Sequence, residues 1–445
     1  MRLSTAAVTA VWIASRAVLM LLVLKVITLP GPDVTTDVSV IYHGWYEVLR
    51  GGTFPQGDVT WQYPPVAALA VTSPALLPFL GYTTAFFVVA CVADLVVFAS
   101  LLAAGRGPGR RQAGAWCWTV GLPLLGPTAY ARYDVLVAAV AGAGLLALLR
   151  RPAVGGALAA LGALLKVWPV LLLVGAPRGR PTRVAWSVAA GAAALLALAF
   201  AMEMPGAFHF LTHQRDRGVE VESLGALVFH VARHFGWEGQ VLLRYGSVEF
   251  LGPYVGLVGT VSLVASALAL SWLLLWRVRA RAWTAATPAD AAFAAVLLFV
   301  TTSRVISPQY MVWLVAVAAV CCCLRASRMG PPAVLVVLAT GVTLLEFPVY
   351  FGEVVGSTGL GVTLLAVRNG LLVVATVWAC VRLWRATVSE PRRAAERAEA
   401  AAAYEGRVPA RHGPRPVVAG GTGAGGAAGR TTGPAPLGER SATSG

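Results

Sequence analysis

Apolar residues in this chain come in long unbroken runs. They show neither the period-two alternation of a half-buried strand nor the narrow stripe of a soluble helix. The runs lie near residues 6–28, 82–104, 113–129, 132–150, 153–176, 184–202, 253–277, 288–303, 308–325, 332–350 and 360–385. Each approaches the roughly 20 residues that cross a bilayer as a helix, so the pattern predicts an all-α polytopic membrane protein. The polar stretches between them differ in kind. Short loops carry Arg106/Arg110/Arg111, Arg150/Arg151, Arg277/Arg279/Arg281, Arg325/Arg328 and Arg382/Arg385, and an excess of arginine marks cytoplasmic loops. The loops 29–81 and 203–252, with the short stretch 351–359, then face outward.

Two runs resist a plain crossing. Residues 64–80 hold Pro64, Pro65, Pro74 and Pro78. A crossing there would also turn the Arg110/Arg111 loop outward, so the run reads as a helix lying at the outer interface. Residues 153–176 hold Lys166 and Pro169 and are followed by Arg178, Arg180 and Arg183. A re-entrant pair of half-helices hinged at Lys166-Val167-Trp168-Pro169 keeps those arginines inside, and broken backbone at that depth is tolerated where it lines a cavity. The alternative is a single span that breaks the charge rule. In the first loop Asp37, Ile41, Tyr42, Trp45 and Leu49 fall at helical spacing, which predicts an amphipathic surface helix over 37–50. After residue 388 the sequence turns to Gly, Ala, Pro, Arg and Ser. The chain thus divides into a membrane domain, 1–387, and a flexible cytoplasmic tail, 388–445, with a short surface helix expected over 390–406.

Composition names the solvent. The 445 residues are 58% hydrophobic and 12% charged, against about 45–50% and 25% for soluble domains. That excludes a soluble multidomain enzyme or a secreted disulfide scaffold. The net charge of +15 sits in loops and tail and gives no nucleic-acid patch. The six cysteines lie in apolar runs without a CxxC pair, so neither disulfide nor metal is expected. The first run, interrupted by Arg16, reads as an anchor that is not cleaved.

A charge at mid-bilayer costs about 2.5–3.5 kcal/mol on insertion scales, so each needs a partner or a task. Arg16 and Asp94 fall at similar depth in antiparallel spans and are expected to form a structural ion pair. Lys166 has no evident partner in the sequence. It is either a ligand for an anion or a lysine snorkelling to the interface. Arg132-Tyr133-Asp134, Arg304 with Ser307-Pro308-Gln309-Tyr310, Glu346 and Arg368 all fall at outer junctions; a single such junction fits an interfacial anchor equally well, but the collection predicts one external polar cavity at membrane level. Asp37 starts the loop helix, where a carboxylate is held ionised. It suits a base or a simple cap, and Asp33 and Asp58 share its loop. His209/His213 and His230/His234 have i, i+4 spacing, but no HExxH accompanies them. Histidines beside Arg215 and Arg217 serve equally well as substrate contacts. No phosphate-loop or dinucleotide-loop motif is present, so any group donor must reside in the membrane.

The ordered set Asp37…Tyr42, Gly52…Pro55, Tyr63-Pro64-Pro65, Arg132-Tyr133-Asp134, Leu165-Lys166-Val167-Trp168-Pro169, Arg217…Glu222-Ser223, Ser307-Pro308-Gln309-Tyr310 with Trp313, and Arg368-Asn369 resembles glycosyltransferase family 87 of the GT-C superfamily. The resemblance covers about residues 10–385. It implies a GT-C type bundle of 11–13 transmembrane helices, with interfacial helices in the first external loop. It also implies transfer of a sugar, by family default mannose, from a polyprenyl-phosphate donor to a hydroxyl on a glycolipid, glycan or protein acceptor, outside the plasma membrane. In that reading Asp37 is the general base of an inverting displacement. Lys166, Arg132, Arg304, Gln309 and Tyr310 bind the donor phosphate. Tyr42, Tyr63, Asp134, Arg217, Glu222, Ser307 and Arg368 bind substrate, and no cofactor or metal is needed. Gln62 and Gln56 depart from the family pattern, which bears on the acceptor more than on the reaction. The rival classes are a lipid or sugar-lipid flippase, whose usual inverted repeat is not visible, and an inactive scaffold, whose loss of Asp37 and Lys166 is not seen.

Overall fold

The computed structural model of the protein describes residues 2–213 and 218–405. The described part is a helical bundle. Six helices are long and apolar enough to cross a membrane, within Thr5–Val23, Tyr82–Ala104, Arg180–Glu203, Val255–Arg279, Gly330–Val349 and Gly359–Ala398. Four more, Asp134–Leu148, Pro152–Leu165, Thr287–Thr302 and Tyr310–Cys323, have only 14–16 residues. At 1.5 Å per residue they reach about 21–24 Å, short of the roughly 30 Å hydrocarbon thickness. Helices Thr287–Thr302 and Tyr310–Cys323 are buried nearly all round, so neighbouring protein replaces the lipid they do not span. Helix Ala113–Gly121 continues as a 3-10 turn, Pro123–Ala129.

The arginine loops gather at one end. Arg325 N–H donates to the Gly109 carbonyl and its Nε to Arg110. Arg110 and Arg150 wall one crevice. Arg328 pairs with Glu390 at 2.6 Å and accepts from Arg382. Arg281 N–H donates to Thr387, and Arg178 donates to the Arg277 carbonyl.

The hinge at Lys166 reverses the chain. Helix Pro152–Leu165 stops at Lys166, whose φ, ψ of −162°, 123° are extended, and Trp168–Gly175 returns as a 3-10 turn. A Cβ on Gly162 would lie 2.8 Å from Pro169 Cβ, an approach that a continuing helix cannot make. Trp283 Nε1 donates to the Gly175 carbonyl, so the returning arm ends among the arginine loops. The re-entrant pair therefore replaces the plain span.

Helix Asp37–Tyr42 opens in π geometry and runs directly into His43–Arg50, as the spacing predicts. Val38, Tyr42, Trp45 and Leu49 are buried, and Val40 and Val48 stay exposed. The proline-rich run forms a short helix, Ala67–Thr72, and a 3-10 turn, Ser73–Leu76, half sunk into the protein. Within the loop 203–252 a small sheet is added to the helical bundle. Strands β1 (Val219–Glu220), β2 (Gln240–Arg244) and β3 (Ser247–Leu251) form an antiparallel sheet in the order β1-β3-β2. It has a small core of its own, with Val219, Val221, Phe229, Phe250, Val354 and Leu365.

Arg244 pairs with Ser247, leaving a two-residue turn, Tyr245-Gly246, at φ 51° and 74°. That is the type I′ hairpin turn, whose twist suits two strands and whose first position favours Asn or Gly. Left-handed backbone costs an L side chain about 1–2 kcal/mol.

The chain divides into Met1–Ala394 and Ala395–Gly445. Helix Gly359–Trp384 passes through a π turn into Glu390–Glu405, where the short helix over 390–406 is expected. Residues 406–445 lie outside the described residues.

Candidate active site

Where the four short helices stop, a cavity of about 370 Å³ opens. Asp134 begins one helix, Lys166 and Ser303 follow two others, and Tyr310 begins the fourth.

Lys166 stands in its wall with its charge matched. Nζ lies 2.7 Å from Asp134 Oδ1, which also accepts from Trp313 Nε1 at 2.5 Å. The rings of Tyr63, Tyr133, Tyr310 and Trp313 surround the ammonium at 5.0–5.8 Å, close enough for cation–π attraction. The absence of a partner expected from sequence is corrected: Asp134, buried beneath Lys166, is that partner and does not line the cavity.

Asp37 lies on the same wall. Its Oδ2 meets Arg132 Nη2 at 2.5 Å, with the carboxylate side chain 34% exposed and the guanidinium 11%. Arg132 Nη1 donates to the carbonyls of Val34 at 3.2 Å and Ala131 at 2.8 Å. Expected as a phosphate ligand, Arg132 instead clamps Asp37 to the backbone of two segments. The rival acids are engaged in turn chemistry. Asp58 accepts from Trp45 Nε1 and from the N–H and hydroxyl of Thr60. Asp33 pairs with Lys25 at 2.6 Å and accepts from Thr35. Burial pushes Asp33 up, but the Lys25 and Thr35 hydrogen bonds outweigh it and hold the carboxyl below its usual range.

Tyr42, Tyr63, Ser307, Gln309 and Tyr310 line the cavity with Asp37 and Lys166. Arg304 is half-buried between the lining residues Ser303 and Val305, and its carbonyl accepts from Glu220 N–H. Ser307 donates to Glu220 Oε1 at 2.8 Å, which ties the sheet to the bundle.

Other expected ligands fall elsewhere. Arg368 is fully buried, paired with Glu346, and donates to the Glu222 carbonyl at 3.0 Å. Glu222 is buried beside this pair. Burial and the neighbouring Glu220 and Glu346 push its carboxyl well above the usual range. Arg368 and Glu222 therefore anchor the loop 218–223 and do not wall the cavity. Arg217 lies outside the described residues. Arg16 and Asp94 meet at 2.7 Å. The same carboxylate accepts from Trp12, Trp118 and Tyr130, while Arg16 reaches the carbonyls of Trp118 and Thr119.

His230 is a structural residue. Its Nε2–H donates to the Val221 carbonyl, and Nδ1 meets the Ser357 hydroxyl, both at 2.7 Å. Among the described residues no group of three or more His, Cys, Asp or Glu is placed to hold a metal ion. Sequence reading missed Thr60, Phe210, Tyr245, Gly246 and Ser247, all in the cavity wall. The signal for the last three is the Tyr-Gly pair between two short β-prone runs.

The profile of glycosyltransferase family 87 matches residues 61–308. Among curated proteins no sequence matches. Two crystal structures are similar to the chain. One is ArnT from Cupriavidus metallidurans bound to undecaprenyl phosphate, 16% identical, covering 84% of this chain and 77% of that one at a TM-score of 0.41. The other is ArnT from the same organism in the apo state, 16% identical, covering 87% and 78% at 0.43.

Proposed function

The chain belongs to glycosyltransferase family 87, and on that premise we propose that it moves a sugar, mannose by family habit, from a polyprenyl phosphate to an acceptor hydroxyl, with inversion. One observation carries the reading. Asp37 and Lys166, an acid and a cation far apart in sequence, wall a single cavity.

Each partner has a task there. The acceptor oxygen attacks the anomeric carbon and its proton passes to Asp37. The bond from that carbon to the phosphate oxygen breaks, and the lipid phosphate leaves with the electron pair. Charge grows on the leaving phosphate, so preorganised donors around it stabilise the transition state. Lys166, Gln309 and the Tyr310 hydroxyl supply them. The N-terminus of helix Tyr310–Cys323 adds its positive end, since Tyr310 is its first residue. Arg132 fixes the base instead of the phosphate. The arginine loops lie at the far end of the bundle, and by the positive-inside rule that end is cytoplasmic. This supports an extracytoplasmic site in the plasma membrane.

Membranes carrying the protein, supplied with polyprenyl-phosphate-[14C]mannose, test the assignment. Asp37→Asn is expected to lower transfer by about 10²–10⁴-fold, the usual contribution of a positioned base. Full turnover in that variant removes Asp37 from the role. A Thr60→Cys variant labelled by a membrane-impermeant maleimide on intact cells tests the sidedness.

A further inference from the structure

Towards the arginine end of the bundle lies a cavity that shares no lining residue with the one around Asp37 and Lys166. Helices Val255–Arg279 and Gly359–Trp384 each pack on Thr287–Thr302, and a groove of about 520 Å³ stays open between them. That volume falls in the range of built ligand pockets, about 300–1,000 Å³. Trp272, Leu298, Val377 and Trp384 line its length, with Arg385 and Ser389 at one end. The rings of Trp272 and Trp384 meet at 6.3 Å. Arg385 and Ser389 are the first and last residues of the π turn that follows helix Gly359–Trp384, and such turns collect at functional sites.

Depth and charge say what fills it. From Thr376 to Arg385, both in its wall, the helix rises about 14 Å. One leaflet of a bilayer holds about 15 Å of hydrocarbon, half of the whole core. The groove therefore runs the depth of a single leaflet, apolar along the chain region and cationic at headgroup level. By the positive-inside rule that leaflet is the cytoplasmic one. Exposed arginines gather at its mouth. Arg385 lines it, Arg279 ends one wall helix, and the backbone of Arg281 donates to the Thr387 carbonyl inside the π turn. Glu390, the next acid along the chain, is already paired with Arg328 at 2.6 Å. Positive charge is thus in surplus at this corner.

We infer that this groove binds an anionic glycerophospholipid of the cytoplasmic leaflet, with one acyl chain along Trp272, Leu298 and Val377 and the phosphate at Arg385. Basic pockets between spanning helices on the cytoplasmic side recognise such headgroups. A zwitterionic lipid brings its own cation to the mouth and matches the arginines less well. A polyprenyl chain could lie against the same apolar wall, but its phosphate, in the proposed reaction, sits beside Lys166 and leaves Arg385 without an anion. The site stands whether or not the chain transfers a sugar.

The test titrates the full-length protein in detergent with dioleoyl phosphatidylglycerol or dioleoyl phosphatidylcholine. Native mass spectrometry counts bound lipid, and the thermal midpoint reads stabilisation. Phosphatidylglycerol should bind about tenfold tighter than phosphatidylcholine and raise the midpoint further. Arg385→Gln changes an exposed side chain, so its lipid-free midpoint should match the parent's. Its affinity for phosphatidylglycerol should fall about five- to tenfold, the worth of one arginine at an anionic headgroup, with phosphatidylcholine unaffected. Arg385→Lys, which keeps the charge, should hold the preference. Val377→Trp, which fills the groove, should weaken both lipids. Arg150→Gln, in a separate crevice among the arginine loops, should change neither. Equal binding of the two lipids by the parent overturns the headgroup assignment. So does an equal loss in Arg150→Gln and Arg385→Gln, which marks diffuse charge. Displacement of phosphatidylglycerol by undecaprenyl phosphate, equally from the parent and from Arg385→Gln, gives the groove to a polyprenyl chain instead.

Discussion

Asp37 and Arg132 meet at 2.5 Å on the lip of the cavity, one partly open to it and the other almost closed off. The contact joins the first residue of a surface helix to the junction before helix Asp134–Leu148. Because Arg132 also holds the carbonyls of Val34 and Ala131, it fixes where the carboxylate can go. A catalytic group displaced by about 1 Å loses on the order of 10²-fold in rate. Arg132→Gln should therefore cost about 10–10²-fold in kcat. Arg132→Lys should recover little, since one ammonium cannot span the acid and both carbonyls. Unchanged steady-state kinetics in Arg132→Gln would show that Asp37 needs no such anchor.

Lys166 and Asp134 form the second charged pair of the site. In the proposed mechanism Lys166→Met removes the cation that faces the donor phosphate. Transfer should drop by about 10²–10³-fold, the range for loss of one transition-state donor. Asp134→Asn should impair the same step less, because the ammonium keeps its four aromatic neighbours. Donor titrations with radiolabelled polyprenyl-phosphate sugar read both. A Lys166→Met enzyme with parental donor kinetics would separate this lysine from phosphate.

The Arg16–Asp94 pair lies away from the cavity lining and should act on stability alone. Asp94→Leu leaves a buried guanidinium unmatched and strips the acceptor from Trp12, Trp118 and Tyr130. Breaking a buried pair on one side costs about 3–5 kcal/mol. Thermal unfolding in detergent should show that loss, while the folded fraction keeps its specific activity. A near-parental midpoint for Asp94→Leu contradicts the expectation.

His230 ties the sheet to the segment after the Glu346 turn through Ser357. Burial lowers its pKa below the usual range, the Val221 hydrogen bond opposes this, and Arg233 and His234 add to the lowering. The sign follows from proton uptake. Above about pH 6.5 the imidazole is neutral in folded and unfolded chains alike, and its contribution is complete. Below that the unfolded chain gains a proton that the folded one resists, so stability falls as pH falls towards the lowered value. Hydrogen exchange over residues 219–234 should show weaker protection at pH 5.5 than at pH 7.5, and Glu222 and its neighbours contribute equally in a His230→Gln control. The His230-dependent part is the difference between the two proteins. If that difference is zero, His230 carries no pH dependence.

The sequence was legible where one physical rule dominates. Unbroken apolar runs marked the helices, and arginine placement favoured a reversal at Lys166 over a single span. Helical spacing from Asp37 to Leu49 marked the surface helix. Pairing across the chain was harder. Depth alone matched Arg16 to Asp94, since both stand alone in long spans. The same reasoning failed for Lys166, because Asp134 appeared to belong to an outer junction and the shortness of its helix was not visible. Arg132 looked like a phosphate ligand because charge type says nothing about which acid lies nearest. The sheet in 203–252 escaped because its strands are two to five residues long, below the length at which alternation can be told from chance.

The reversal at Lys166 also constrains biosynthesis. Its arms hold 14 and 8 residues, each too brief to partition into lipid as an independent stop-transfer signal. The returning arm packs against helix Thr287–Thr302, which leaves the ribosome more than a hundred residues later. Between those moments the lysine-bearing bend has no finished berth. Its retention in the membrane therefore belongs to late tertiary assembly and not to the translocon's first reading of hydrophobicity.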